Sequence, residues 1–241
     1  MNKLEPYPHG ICRADFVSPE RLFMKSKVIE SRALKNTKKL TVSAIMVALS
    51  TVLSFIKFSN LPFGGSVTLF SFVPILFIGY AYGAKWGTGT GLVSGILQMV
   101  FGISASTAGA GFKWWQVCLC ALLDYVVAYT VLGLSGVFKN KIKNPQISFA
   151  LGSVVACLLK YIAHFFSGFT LFSGWAEWFF TEGGGVNYGN TILSSFSGNA
   201  LSAIYSLIYN GLFSIPEMIT STVIVVILIS IKPIRKETGI K

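Results

Sequence analysis

Long apolar stretches separated by short polar or basic segments dominate the chain from about residue 40 onward. Each stretch is close to the roughly 20 residues that a helix needs to cross the hydrocarbon core of a membrane. Because lipid offers backbone groups no water to bind, such stretches are expected to be helical. The pattern predicts six membrane-spanning helices, at residues 40–57, 66–83, 86–103, 115–138, 147–172 and 200–231.

The predicted fold class is an all-α integral membrane protein, a bundle of six transmembrane helices. The strict alternation that marks the strands of a membrane β-barrel is absent from the sequence. The hydrophilic stretch before the first span predicts a cytoplasmic N-terminal extension at 1–39. A membrane domain at 40–235 and a short cytoplasmic tail at 236–241 complete the predicted organisation.

Charge supports this interpretation and orients the bundle. Only 12% of the residues are charged, whereas soluble domains carry about a quarter. Lys and Arg concentrate in 1–39, 139–143 and 232–241, which lie on one side of a six-span bundle. An excess of basic residues marks the cytoplasmic side, so both termini are predicted there. The net charge of +11 is therefore interpreted as membrane orientation; no nucleic-acid partner is expected, and membrane lipid surrounds the spans.

Ionisable residues inside predicted spans are candidates for function, since a charge in lipid is costly. Asp124 lies about nine residues into the fourth span, on the outer half of the membrane. It either serves a ligand or pairs with Lys160 of the next span. Lys160, His164 and Gly168 are spaced by four residues and share a helix face, which is consistent with the wall of a binding site.

The sixth span carries a second polar set. Asn210 and Glu217 are seven residues apart and lie on one face, and Pro216 interrupts the backbone hydrogen bonds beside them. Asn210 either binds a heterocyclic ligand or forms an interhelical hydrogen bond. The sequence leaves the roles of Glu217 and Lys160 open.

Aromatic residues concentrate on the predicted outer side, and two interpretations of them remain open. Tryptophan and tyrosine normally form belts at the membrane interface. They also form cages that bind cations over the ring faces. A carboxylate beside such a cage suits an organic cation. The candidates for a cage include Trp114, Trp115, Phe172, Trp175 and Trp178.

Several kinds of chemistry find no support in the sequence. No G-x-x-x-x-G-K-[ST] motif is present, so ATP hydrolysis by that route is excluded. No G-x-S-x-G nucleophile motif occurs, and only one histidine falls in a span, which excludes a histidine-rich metal site. Neither an enzyme nor a metal protein is expected.

Five stretches carry a family resemblance, and their order and spacing also fit. They are GGSVTLFSFVPI (64–75), GLVSGILQMVFG (91–102), LLDYVVAYTVLGLSG (122–136), LLKYIAHFFSG (158–168) and YSLIYNG (205–211). From about Leu40 to Arg235 the chain resembles the thiamine-specific substrate-binding (S) components of energy-coupling factor (ECF) transporters, the ThiT or YuaJ group. The resemblance implies a bacterial cell-membrane protein that captures thiamine from outside and uses no cofactor. It then docks on a membrane coupling protein driven by two ATPase subunits.

The same resemblance implies site residues. Asp124 falls where the family has an acidic residue facing the thiazolium ring, and His164 and Gly168 match a K-Y-x-x-H motif and the glycine after it. Further matches are Tyr205, Asn210, Trp114 and Phe172, with Trp175 or Trp178 expected to supply another ring. On the first span, Ala44 and Ala48 form the small-residue face that docks on the coupling protein.

The chain also departs from the family pattern. Several members have Glu where this chain has Asp124, and at least one has Trp at the position of Ser94. The loop at 173–199 is longer than expected, and these departures concern the composition of the cage. Two alternatives remain: an S component for another vitamin or a thiamine precursor, and a self-sufficient proton-coupled carrier using Asp124 or Glu217. Internal repeats, expected in many such carriers, are not evident.

Overall fold

Helices form most of the computed structural model, which describes residues 19–61, 64–68, 70–183 and 186–237. The chain divides into two compact units, Met1–Thr41 and Val42–Lys241. In the first unit the described side chains from Glu30 to Lys38 are exposed. All features of the membrane domain considered below belong to the second unit. The predicted boundaries of an extension, a membrane domain and a tail stay a prediction.

In the first half of the chain, the described residues form three helices and one short hairpin. Helix α1 (Pro19–Ser54) is followed by strands β1 (Lys57–Asn60) and β2 (Ser66–Thr68), which pair antiparallel. Helices α2 (Val73–Tyr82) and α3 (Ala84–Thr107) come next. Gly83, with a φ of 92°, forms the tight connection between them, a backbone conformation that glycine adopts without strain.

In the second half, the part of the chain that the structure describes forms one composite span, two long α-helices and three short ones. The composite span begins as helix α4 (Trp114–Cys120), widens into a π-helical segment (Ala121–Val127), and closes as helix α5 (Ala128–Leu132) with a 3₁₀ turn. The helices that follow are α6 (Pro145–Leu171), α7 (Ala176–Thr181), α8 (Val186–Ser195), α9 (Gly198–Ser230) and α10 (Lys232–Glu237).

A helical membrane fold is confirmed, but six full-length spans are not. In the described residues, five helical segments are long and apolar enough to cross a membrane: Glu30–Ser54, Ala84–Thr107, Trp114–Gly136, Pro145–Leu171 and Gly198–Ser230. The predicted second span, 66–83, contains only the ten-residue helix α2. At 1.5 Å per residue this helix is about 15 Å long, half the thickness of the hydrocarbon core.

The shortfall in α2 has a local cause. The first residues of the predicted span form β2 and pair with β1 instead of starting a helix. Phe70 then adopts a φ of 53°, a left-handed conformation that a helix cannot include. Helix α2 therefore starts only at Val73, with Pro74 in its first turn. Proline is tolerated there because a backbone N–H at that position would have no partner within the helix. Hydropathy could not separate a hairpin from a helix in this apolar stretch.

Two apolar clusters lie along the bundle and bracket a polar interior. In one cluster Tyr80 stacks on Phe149, with ring centroids 4.2 Å apart. In the other, Phe179 packs against Tyr205 and Tyr209 near the ends of α6 and α9. Phe72 of the first cluster and Phe172 of the second border the same cavity. The polar interior therefore lies between two apolar clusters.

Helix α3 packs closely against its neighbours through glycines on one face. A Cβ atom added to Gly87 would overlap the carbonyl oxygen of Gly133 and the Cα of Gly79. Gly91 and Gly95, one and two turns later, meet backbone atoms of the composite span in the same way. Small residues allow such close approach in membranes, where helices associate through packing. These contacts show that the glycine face of α3 serves close packing against its neighbours.

This close packing makes a paired prediction about alanine substitutions in α3. Gly87→Ala should destabilise the protein by about 1–3 kcal/mol because its methyl group enters a filled space. Gly89→Ala, two residues away in open space, should be neutral or slightly stabilising because alanine favours helices. Thermal unfolding of the detergent-solubilised protein measures both. Equal melting temperatures for the two variants would contradict the prediction.

Candidate functional site

A cavity of about 120 Å³ lies between the hairpin and the helices of the membrane domain. Its wall combines residues of the hairpin, the turn before α2, the composite span, α6 and α9. The predicted residues among those that line it are Asp124, His164, Gly168, Phe172, Tyr205 and Asn210. The structure thus brings together six predicted site residues from three membrane-spanning segments.

Asp124 is held in a fixed orientation by donors on both of its carboxylate oxygens. His164 Nδ1 lies 2.8 Å from Oδ1, and the Ser167 hydroxyl donates to Oδ2 over 2.6 Å. The Cys120 thiol also donates to Oδ2, at 3.3 Å. Asp124 lies within the π-helical segment, a kind of local widening that often occurs at functional sites. The carboxylate is therefore preorganised at the cavity wall.

His164 connects Asp124 to Lys160. Its Nε2 atom lies 2.8 Å from the Lys160 ammonium, one helical turn earlier on α6. No direct ion pair between Asp124 and Lys160 occurs in the described residues. In place of the direct Asp124–Lys160 pair that the sequence left open, the two residues are connected through the imidazole ring of His164. The three residues form a hydrogen-bonded row from the carboxylate to the ammonium.

Lys160 is almost fully buried and is surrounded by aromatic rings. Its side chain is 4% exposed, and its ammonium lies 4.4 Å from the Phe72 ring centroid. The centroids of Phe213 and Tyr129 are 5.6 and 5.9 Å away. Cation–π attraction compensates part of the hydration that a buried ammonium loses. The cavity can therefore accommodate positive charge against ring faces.

Glu217 anchors the hairpin to α9. Its Oε1 atom accepts the Thr68 backbone N–H at 2.8 Å and the Thr68 hydroxyl at 2.5 Å. The Gly65 N–H donates to the Tyr209 hydroxyl at 3.3 Å, a second link between the hairpin and α9. Glu217 is 3% exposed. These hydrogen bonds position the hairpin over one side of the cavity.

Asn210 forms the interhelical hydrogen bond that the sequence left open as one interpretation. Its Nδ2 atom donates across the helix pair to the His164 carbonyl at 3.2 Å, and to Ser206 on its own helix. It also lines the cavity. A Cβ atom at Gly168 would lie 2.9 Å from that amide nitrogen, so the missing side chain leaves room for Asn210.

The four predicted tryptophans lie away from the cavity in the described conformation. Trp114 is 79% exposed and Trp115 is 48% exposed. Trp175 and Trp178 pack edge to face against each other, 5.9 Å apart, on the border of the second apolar cluster. The rings that line the cavity are instead Phe72, Tyr125, Tyr129, Phe172, Tyr205, Tyr209 and Phe213.

Some of the cavity-lining residues that the sequence analysis missed could have been found from their spacing, and others could not. Tyr205, Tyr209, Phe213 and Glu217 are spaced by four along α9 and share one face, so this periodicity could have identified the whole set. Ser167 likewise follows His164 by three residues. The hairpin residues could not be found in this way, because their position depends on the pairing of β1 with β2. The aromatic positions of the resembled family pointed to tryptophans instead.

Ala44 and Ala48, the predicted docking residues, lie exposed on α1. Ser43, Val47 and Ser50 on the same helix are buried, so the alanines occupy the outward-facing side. The described structure leaves this face of the membrane domain uncovered.

Comparisons with known proteins agree on one family. The family model described as "Thiamine transporter protein (Thia_YuaJ)" matches residues 40–186. The thiamine transporter ThiT of Bacillus subtilis (strain 168) is 28% identical over 210 residues, covering 83% of this chain and 94% of that protein. A solved structure of ThiT from Listeria monocytogenes has a TM-score of 0.63 at 19% identity, covering 85% of this chain and 98% of that one. This last likeness shows a shared fold.

The link between Thr68 and Glu217 makes a prediction about the hairpin. Thr68→Val removes the hydroxyl donor and should destabilise the hairpin by about 1–2 kcal/mol. Thr68→Ser keeps the hydroxyl and is the matched control. Hydrogen exchange of the amides in residues 64–68 should become faster in the valine variant alone. Unchanged exchange in Thr68→Val would show that the hydroxyl does not hold the hairpin.

Proposed function

Because this chain belongs to the thiamine transporter protein (Thia_YuaJ) family, we propose that its cavity is the site that binds thiamine. The chain is a transport protein rather than an enzyme, as its named homologue indicates. Its five span-length helices make it a multi-pass membrane protein. The proposal concerns where and how the transported molecule is held.

The observation that carries this proposal is an oriented carboxylate in an aromatic-lined cavity. Thiamine joins a permanently cationic thiazolium ring to an aminopyrimidine ring. Asp124 supplies a negative charge held by donors on both oxygens, and Phe172 and the tyrosines supply ring faces. Charge attraction and cation–π stacking both favour a flat organic cation. Such a cation suits this cavity better than a neutral or anionic vitamin.

The remaining predicted residues receive proposed roles around that cation. His164, Tyr205 and Asn210 line the cavity near Asp124 and offer donors and acceptors to the aminopyrimidine. Gly168 leaves room for the Ser206 hydroxyl and the Asn210 amide at the cavity wall. Contact of Trp114, Trp115, Trp175 and Trp178 with the ligand, as the family resemblance suggests, requires a conformation other than the described one.

The direction of capture follows from the loops. Gly64, Gly65 and Ser106 line the cavity and belong to loops that the six-span prediction places outside, whereas the lysines at 139–143 belong to a loop that it places inside. If the basic end is cytoplasmic, as the distribution of Lys and Arg favours, the cavity opens to the outside. The chain then captures thiamine at the outer face of a bacterial cell membrane.

We further propose that this chain is an S component that works with a separate ECF module. Its sequence has no phosphate-binding loop of the type that ATPases use, so in this proposal partner subunits hydrolyse the ATP. The proposed partners are a transmembrane coupling protein and two ATPase subunits. The exposed small-residue face of α1, with Ala44 and Ala48, would allow another helix to approach closely.

Thiamine binding tests the proposed site directly. The purified protein should bind thiamine in a calorimetric titration, and Asp124→Asn should weaken binding about 10- to 100-fold, because a charged hydrogen-bonding partner contributes about 1.5–3 kcal/mol. Glu177→Gln, which removes an exposed carboxylate away from the cavity, should leave the affinity unchanged. Tight binding that survives Asp124→Asn would refute the role of Asp124. Preference for another vitamin or for a pyrimidine precursor would refute thiamine as the ligand.

Energy coupling has its own test. Liposomes that contain this chain alone should accumulate no thiamine, with or without a pH gradient, because the chain has no ATPase motif. Addition of an ECF module with its two ATPases and ATP should start accumulation. Uptake by the chain alone, driven by a proton gradient, would show a self-sufficient carrier instead.

A further inference from the structure

Glu217 is a buried carboxylate to which neither the family resemblance nor the proposed thiamine contacts assign a role. It lines the same cavity as Asp124, on the side next to the hairpin. It is 3% exposed and lies one residue after Pro216 inside α9. An ionisable side chain at this depth in a membrane protein is rarely retained for packing alone.

The charges around the cavity do not balance when it is empty. The acidic groups are Asp124 and Glu217, and the basic groups are Lys160 and His164. The Lys160 ammonium and the His164 ring nitrogen are 2.8 Å apart, and two cations at that distance would repel strongly. The Lys160–His164 pair therefore carries one positive charge. Two ionised carboxylates against one positive charge leave an excess of one negative charge.

An excess charge in a buried cavity is unfavourable, and it is removed by binding a cation. A bound thiamine cation balances it. In the empty cavity, a proton on one of the two carboxylates can neutralise the excess negative charge instead. The cavity is then electrically neutral in both states, and the proton leaves as thiamine enters.

The hydrogen bonds indicate which carboxylate holds the proton. Both oxygens of Asp124 accept hydrogen bonds from the protein, which favours its ionised form. In Glu217 both Thr68 donors act on Oε1. Within the described residues no donor reaches Oε2, so a proton can reside there without losing any protein hydrogen bond.

The other groups that face Glu217 do not compete for this role. Lys160 and Cys157 approach it from α6, and Tyr129 approaches it from the composite span. Thr68 and the hairpin lie on its remaining side. Thiols and phenols are ordinarily neutral at neutral pH. Lys160 is the one cation among these neighbours, and its hydrogen bond leads through His164 to Asp124.

We propose that Glu217 carries a proton on Oε2 in the empty cavity and releases it to solvent when the thiamine cation binds. This inference rests on the proposed thiamine site. The O–H bond of the carboxylic acid breaks, no other bond changes, and the cavity stays neutral. Because binding and proton release are linked, affinity should rise with pH, by up to about tenfold per unit while the empty protein holds the proton. Glu217 is thus a residue that makes cation recognition dependent on pH.

Proton release can be counted during a thiamine titration in weakly buffered solution, or calorimetrically in two buffers with different ionisation enthalpies. The wild-type protein should release close to one proton per thiamine bound. Glu217→Gln, whose amide oxygen can still accept both Thr68 donors, should release none and bind with little pH dependence. Glu177→Gln should behave as the wild type. A neutral analogue that replaces the thiazolium with an uncharged ring should release no proton from any variant.

The outcomes separate this inference from the proposed site. Failure of thiamine to bind the wild type would refute the site itself. Binding without proton release, including binding whose affinity depends on sodium, would overturn the inference alone. Release that persists in Glu217→Gln would assign the proton to another group.

An infrared difference spectrum covers the case in which Glu217→Gln binds thiamine poorly. Thiamine addition to the wild type should remove the carbonyl band of a protonated carboxylic acid, because the acid becomes a carboxylate. A spectrum without that loss would contradict the proposal, whatever the variant does.

Discussion

The cost of placing charges inside a membrane protein is the constraint on which the site depends. Asp124, His164 and Lys160 meet it together, as a row of hydrogen bonds from a carboxylate through an imidazole to an ammonium. Each member gives its neighbour a hydrogen bond that replaces one lost when the polar group leaves water. Removal of one member would leave the others buried without compensation, so the row is a structural unit as well as a candidate binding surface.

The rest of the bundle is arranged to hold this unit in place. The π-helical segment and the Ser167 hydroxyl orient Asp124. Close helix packing through small residues such as Gly87 and Gly168 leaves the interior for polar and aromatic side chains. Aromatic rings then surround the ammonium and line the cavity. The result is a rigid site on helices, with a hairpin held across one side.

Helix α9 shows how one helix face can divide its functions by position. Tyr205 and Asn210 belong to the end of the cavity near Asp124, while Tyr209 and Glu217 hold the hairpin. Transport requires a site that is selective when closed and accessible when open. The hairpin is attached to α9 by side-chain hydrogen bonds and also packs Val67 against the second apolar cluster.

The sequence by itself determined the helical membrane fold and the acidic residue in a span, because hydropathy is a local property. Helical spacing together with the family resemblance pointed to six of the residues that line the cavity. It did not determine that residues 66–68 leave the second span to form a strand, since a hairpin and a helix are equally apolar there. Only the tertiary structure decided that Phe72, Tyr129 and Phe213 surround Lys160, and that the predicted tryptophans lie outside. Those relations depend on contacts between distant segments, which no local pattern records.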